Sequence, residues 1–228
     1  MKTLKKLICF LVLTVIAANL FGCNDFKAKE YVATENEYFN FTLNESGDGY
    51  VVSAKDVNDL PEKLNLPEEY EGKPVVAVAE QAFAGANITA LKIPSNIKTV
   101  GVRAFSLCLS LTEVYMYKGL TELGGGAFYG CVAVSSLTLP KSLKVIGSNA
   151  FYDCSSIKTL ELPESLNKIG DYAFAFCVLI KHVYIPHAVS EIGENTFAGC
   201  SDEISFTVSA SNPYIRLDEN GYPKKIAD

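Results

Sequence analysis

The sequence predicts a repeat solenoid, and three observations carry that expectation: a fixed period, a repeated apolar phrase and an atypical first copy. Cys108, Cys131, Cys154, Cys177 and Cys200 stand 23 residues apart at every step. Each closes the same short phrase, Ala104-Phe105-Ser106-Leu107-Cys108 in the first case and residues 196–200 in the last. A fixed period in the twenties marks an array in which each repeat packs only on its neighbours. Aligning residues 137–154 with 160–177 gives the phrase L-x-L-P-x-S-L-x-x-I-G-x-x-A-F-x-x-C, and residues 91–108, 114–131 and 183–200 follow it with apolar substitutions. Residues 64–86 form a sixth copy, lengthened by residues 70–74 and lacking the cysteine. An end repeat that must face solvent departs from its neighbours in this way.

Residues 1–22 read as a leader. Lys2, Lys5 and Lys6 precede an apolar run over residues 7–18, too short to span a bilayer comfortably. Leu20-Phe21-Gly22-Cys23 follows, so a basic start and an apolar core meet a small residue at the cut site. Leu-x-Gly-Cys resembles a bacterial lipobox, which implies cleavage before Cys23 and lipid attachment to its thiol and amine. Two or three acyl chains hold a protein stably where one is marginal. The polar residues 23–37 are the expected lipidated tether.

Residues 38–63 predict an N-terminal β cap. Phe39, Phe41 and Leu43 alternate, a turn-forming stretch covers residues 44–49, and Tyr50, Val51 and Val52 resume an extended run. The turn is faintly similar to a calcium loop, but Lys55 stands where a bidentate glutamate is required.

Residues 64–200 then convert into six coils. Leu160 and Leu162 face one side of a short strand and Glu161 the other. Pro163 ends it, as Pro94, Pro140 and Pro186 do in their copies, because proline has no N–H to give a neighbouring strand. Leu166 and Ile169 turn inward at helical or irregular spacing. The column Gly101, Gly124, Gly147, Gly170, Gly193 supplies a backbone conformation that a side chain would obstruct. Phe83, Phe105, Phe128, Phe151, Phe174 and Phe197 form an aromatic column through the interior. Phe206, Thr207 and Val208 begin a seventh strand before residues 211–213 leave the pattern, so residues 201–228 are the expected C-terminal cap and tail.

These residues resemble the BspA-like leucine-rich repeats of bacterial surface proteins over about residues 39–218. The resemblance implies a curved, right-handed solenoid of leucine-rich-repeat type, with short strands and an irregular or short helical convex side. It also implies surface adhesion or partner binding, and it transfers no catalytic residue. Ser142 and Ser165 stand where the general leucine-rich pattern carries asparagine.

The chain holds 20 basic and 26 acidic side chains. Cleavage before Cys23 removes three lysines and no acid, taking these to 17 and 26 and the formal charge from −6 to −9. An acidic surface argues against nucleic acid and against adsorption on anionic lipid, leaving lipid on Cys23 as the membrane attachment.

Chemistry is scarce. Five periodic thiols cannot all pair, adjacent coils place them a little far apart for a good bridge, and no C-x-x-C spacing suits a metal. Each cysteine is therefore read as a small buried hydrophobe whose S–H meets a backbone carbonyl in the turn. His182 and His187 are the only histidines, with no nucleophile motif beside them. Gly124-Gly125-Gly126 lacks the lysine of a phosphate loop. No catalytic residue, cofactor or metal is expected, and an enzyme is not.

A surface remains. Stacking places the outward strand residues in two columns: Ala90, Glu113, Ser136, Thr159, His182, Ser205, and beside them Lys92, Tyr115, Thr138, Glu161, Tyr184, Thr207. Solenoids use such faces for binding. Tyr115, Tyr117 and Tyr184, with His182, Glu113 and Glu161, are the candidate partner-binding residues. The expected function is a lipid-anchored protein, exposed on the bacterial cell envelope, that binds an extracellular protein or glycan. The alternative is a self-associating structural component of that envelope.

Overall fold

Three hydrogen-bonded ladders run from coil to coil, each produced by one part of the repeated phrase. The computed structural model describes residues 34–226, so the expected leader and Cys23 lie outside the described residues. The first strands are β1 (Phe39–Leu43), β2 (Tyr50–Ala54), β3 (Lys63–Asn65), β4 (Glu69–Tyr70), β5 (Lys73–Val78) and β6 (Ala90–Ile93). The middle of the chain holds β7 (Thr99–Val100), β8 (Glu113–Met116), β9 (Glu122–Leu123), β10 (Ser136–Thr138), β11 (Val145–Ile146) and β12 (Lys168–Ile169). The last are β13 (His182–Ile185), β14 (Glu191–Ile192), β15 (Ser205–Val208), β16 (Ile215–Leu217) and β17 (Pro223–Lys225).

The first ladder comes from the alternating L-x-L. β3, β6, β8 and β10 pair parallel and in register, with Leu64, Leu91, Val114 and Leu137 side by side. β13 and β15 continue it, Val183 opposite Phe206. Between them the sheet opens: the fifth coil contributes only a single bridge, Leu160 to Val183. Leu137, on the near side of the opening, is half-buried, whereas Leu91, Val114, Leu160 and Val183 are buried.

The second ladder replaces the irregular or short helical side expected from the sequence. Among the described residues the only helical element is a 3-10 turn, Asn36–Tyr38. The residues around Ile169 are instead extended, and β5, β7, β9, β11, β12 and β14 pair in parallel. The hairpin β1–β2 joins this sheet through β5, and Phe39 meets Phe83 at 6.2 Å between ring centroids. The glycine that follows each short strand explains why so tight a turn is extended. At Gly170 an added Cβ would lie 2.4 Å from the Ser148 amide nitrogen, so the preceding coil fits only against a bare backbone. None of the five column glycines has a left-handed φ, so close approach sets the requirement rather than an unusual conformation.

The third ladder lies in the A-F-x-x-C turn. Left-handed residues occur there four apart, as at Arg103 (φ 52°) and Leu107 (φ 58°), and at Tyr172 (φ 55°) and Phe176 (φ 61°). A non-glycine residue in this region costs about 1–2 kcal/mol. The conformation aims alternate amides at the next coil: Arg103, Phe105 and Leu107 donate to the carbonyls of Gly125, Ala127 and Tyr129 at 2.9, 2.8 and 2.7 Å. Those bonds offset the strain at every step.

Inside the ladders, Phe83, Phe105, Phe128, Phe151, Phe174 and Phe197 stack with centroid separations of 5.1, 5.3, 5.4, 5.3 and 5.7 Å. Aromatic pairs in this range add about 0.5–1.5 kcal/mol beyond the area they bury. The column expected from the sequence is therefore continuous. Cys108, Cys131, Cys154, Cys177 and Cys200 are free thiols whose sulfurs lie 3.0–3.3 Å from phenylalanine carbonyls one coil back. Ser142 and Ser165 serve in place of asparagine, each hydroxyl donating to the carbonyl of the preceding coil's leucine, Leu120 at 2.7 Å and Leu143 at 2.6 Å. Asn212 takes the position of Leu166 and Val189 in the seventh coil. It is buried, donates to the carbonyls of Pro186 and Val189, and accepts from the amides of Tyr214 and Ile215.

Candidate functional site

The two outward columns read from the sequence are neighbours across the strands in two blocks, before and after the fifth coil, where Thr159 and Glu161 pair with no strand. Glu113 sits between Ala90 and Ser136, and Tyr115 between Lys92 and Thr138. At the far end His182 faces Ser205 and Tyr184 faces Thr207. The parallel register leaves no freedom here, because a one-residue slip would turn every leucine outward.

The first aromatic group stands on β8 and the residue after it. The Tyr115 hydroxyl donates to Glu113 Oε2 at 2.9 Å, so acid and phenol form one unit, both half-buried. Tyr117 takes the place that proline holds in neighbouring coils, and its amide donates to the Ile93 carbonyl at 3.0 Å, a bond proline could not make. Tyr117 is 44% exposed, with Lys92 Nζ 5.2 Å from the ring centroid. A cation at this distance is attracted to the ring face. Lys92 thereby joins the group, adding the one positive charge of the cluster.

The second group stands on β13. His182 and Tyr184 are both exposed, and His182 Nδ1 lies 3.0 Å from Ser205 Oγ. Beside them Lys181 pairs with Glu203 at 2.9 Å, which holds the Glu203 carboxyl below its ordinary range. Glu161 is exposed in the coil between the groups, next to the bridge at Leu160. The opening in the strand ladder, with Ser136 and Thr138 on its near edge, therefore lies between the two aromatic groups. Sequence reasoning places the groups in one row and misses the opening, because Leu160-Glu161-Leu162 alternates as well as any other strand.

A second surface lies outside the strand face. Along the turn edge Leu107, Leu109, Phe176, Val178 and Leu179 are exposed, and Tyr129 stacks on Tyr152 at 4.9 Å. Its signal is the apolar residues at the x positions of A-F-x-x-C and just beyond the cysteine.

The other motifs are occupied by structure. In the hairpin turn Asn44 and Ser46 both donate to Asp48 Oδ1, at 2.8 and 2.6 Å, which lowers the Asp48 carboxyl below its ordinary value. Gly124 to Gly126 form part of the repeat's own turn, Gly126 with φ 63°. Among the described residues, no three His, Cys, Asp or Glu side chains gather as metal ligands would.

A BspA type leucine rich repeat region matches residues 76–203 in 6 copies. The crystal structure of a T. pallidum leucine rich repeat protein is similar at 30% identity and a TM-score of 0.72, covering 78% of this chain and 81% of that one. The pneumococcal vaccine antigen PcpA is similar at 22% identity and a TM-score of 0.68, covering 85% of this chain and 53% of its own. A leucine rich cell surface protein from Faecalibacterium prausnitzii A2-165 is similar at 20% identity and a TM-score of 0.66, covering 83% of this chain and 57% of its own. No curated protein matches this chain.

Proposed function

This chain belongs to the BspA type leucine-rich repeat family, and from that premise we propose that it is a lipid-anchored binding protein of the bacterial surface. Its strand face captures an extracellular protein or glycan. One observation carries the reading: Tyr115 with Tyr117, and His182 with Tyr184, stand at equivalent outward positions of the repeated strand, on the parallel strands either side of the opening, with exposed rings in both groups. Tyrosine suits recognition because a rigid ring brings contact area at small entropic cost and the hydroxyl can bond. Glu113 and Glu161 supply acceptors, and Lys92 a donor, around the rings. A site built from side chains on rigid strands needs no rearrangement to bind. The reading gives the protein no catalytic role.

Attachment rests on the leader. Cleavage before Cys23 and acylation there would hold the solenoid to a membrane through the tether of residues 23–37. Detergent-phase partitioning tests this, with wild type entering the detergent phase and Cys23→Ser remaining in the aqueous phase; equal partitioning of the two would remove the anchor. The face is tested by capture from intact cell surfaces on immobilised protein. Tyr115→Ala, Tyr117→Ala and Tyr184→Ala together reduce capture at least about tenfold at unchanged melting temperature, as interface aromatics do. Undiminished capture by the triple variant would transfer binding elsewhere.

A further inference from the structure

Three amide bonds join each A-F-x-x-C turn to the next, at five successive steps, and the sixth turn makes none of the three. At the last complete step Tyr172, Phe174 and Phe176 donate to the carbonyls of Glu194, Thr196 and Ala198 at 3.0, 2.9 and 2.8 Å. The matching amides of the final turn belong to Asn195, Phe197 and Gly199, and among the described residues none of them has an acceptor. The turn nevertheless keeps its shape, with Asn195 at φ 54° and Gly199 at φ 66°, so the three donors are already aligned. Phe197 is buried while Asn195 and Gly199 are exposed, and a buried amide is paired almost everywhere in folded proteins, so the central donor of the row calls for a partner and the two beside it are open to one.

The apolar end of this coil is closed. Phe206 packs 4.9 Å from Phe197, and Tyr222 lies 5.3 Å from Phe206. The polar edge is not. A recess of about 740 Å³ separates residues 192–198 of the last turn from Asp218, Asn220 and residues 222–225 of the tail. That volume is within the range of about 300–1,000 Å³ common for binding clefts.

We infer that this open turn is a docking edge for a turn-forming peptide segment of a partner protein, whose carbonyls at alternate residues take the amides of Asn195, Phe197 and Gly199. Each acceptor segment within the array is itself a turn, with left-handed residues such as Asn149 and Asp153 following the first and last of the carbonyls of Ser148, Ala150 and Tyr152, so the incoming segment folds into the same turn on the row. As in strand addition, main-chain bonds give affinity and side chains give selectivity. Two features define the segment. At every complete step the central acceptor is a small residue, Ala104, Ala127, Ala150, Ala173 or Thr196, so the centre of the incoming segment is small as well. The recess is lined by Glu194 and Asp218 against Lys224 and Lys225, which balances its charge and favours an uncharged segment. A second copy of this chain is the poorer occupant. In its first turn the Ala82 carbonyl already accepts from the Ala54 amide at 3.1 Å, and the hairpin β1–β2 occupies that end.

The inference is independent of the strand-face reading and is tested without any Tyr115, Tyr117 or Tyr184 variant. Amide hydrogen exchange of the purified protein is followed residue by residue, with and without an uncharged peptide, acetylated and amidated, copying residues 146–152. In the protein that segment offers the carbonyls of Ser148, Ala150 and Tyr152 to the amides of Gly126, Phe128 and Gly130. In the free protein Asn195, Phe197 and Gly199 exchange faster than Tyr172, Phe174 and Phe176, and saturating peptide slows those three by about tenfold or more. Three results each overturn the assignment: protection of all three amides in the free protein, no saturable slowing with peptide, or slowing that follows the protein's own concentration without peptide. The last would give the edge to a second copy.

Discussion

The Cys154 thiol donates to the carbonyl oxygen of Phe128, 3.2 Å away in the preceding coil. That oxygen also accepts from the amide of Cys131 at 3.2 Å, so one carbonyl joins its own turn to the next coil. Cys154→Ala removes the second bond and leaves a void in a sealed interior. The loss is about 1–3 kcal/mol of unfolding free energy by urea titration, and an unchanged midpoint would make the thiol mere filling.

Alkylation follows from the same geometry. Cys108, Cys131, Cys154 and Cys177 are buried and free, so they resist reagent in the native protein and react once it is denatured without reductant. Cys200 is half-exposed and reacts first. Mass spectrometry decides: a linked pair of peptides among these five would refute the reading.

Alkaline stability should decline. Burial pushes up the thiols of Cys154 and Cys177, and that of Cys200 from 9.0 to about 11, while at Cys131 the neighbouring Cys108 thiol is the larger cause and burial the second. A thiol with a raised folded value holds its proton more tightly when folded. Its contribution is therefore whole below about pH 9 and falls as pH rises through the folded value, near 11 for Cys200 and higher for the others. Urea midpoints drop between about pH 9 and 10.5, and Cys154→Ala softens the drop; a flat profile would contradict it.

Gly170→Ala tests coil spacing. The new Cβ would stand 2.4 Å from the Ser148 nitrogen and 2.7 Å from the Gly147 carbonyl carbon, both backbone atoms that cannot swing aside. The expected cost is about 3 kcal/mol or more, well above the substitution Ala175→Gly in the same coil. A shift in melting temperature below that of Ala175→Gly would refute the close-approach reading.

Asn212→Leu restores the apolar residue that the column carries in other coils and still destabilises. It strands the carbonyls of Pro186 and Val189 and the amides of Tyr214 and Ile215, at a cost of about 2–5 kcal/mol. Thermal unfolding at or above wild type would show that those groups find other partners.

Most of the fold was legible because the repeat writes each core position several times. Phe128 and Phe151 are identical residues 23 apart, and their rings stack at 5.4 Å. The second ladder was not legible, since Lys168–Ile169 is a strand of two residues and alternation needs four or more to be visible. Nor were the left-handed turns at Tyr172 and Phe176, where sequence preference argues against the conformation and only inter-coil bonding imposes it. At the face, the register of Tyr115 and Tyr184 could be read, but the bond from Tyr115 to Glu113 and the seat of Lys92 over Tyr117 depend on side-chain torsions that no periodicity encodes.

The bonds between coils have a direction. Thiols and serine hydroxyls reach back to the preceding coil, while the three amides of each turn reach forward. A chain that emerges N-terminal end first thus finds acceptors for its backward groups already laid down, and each finished coil holds out a template for the one still to come. In the order of synthesis, the leading edge of the array is the one whose forward amides still wait for acceptors.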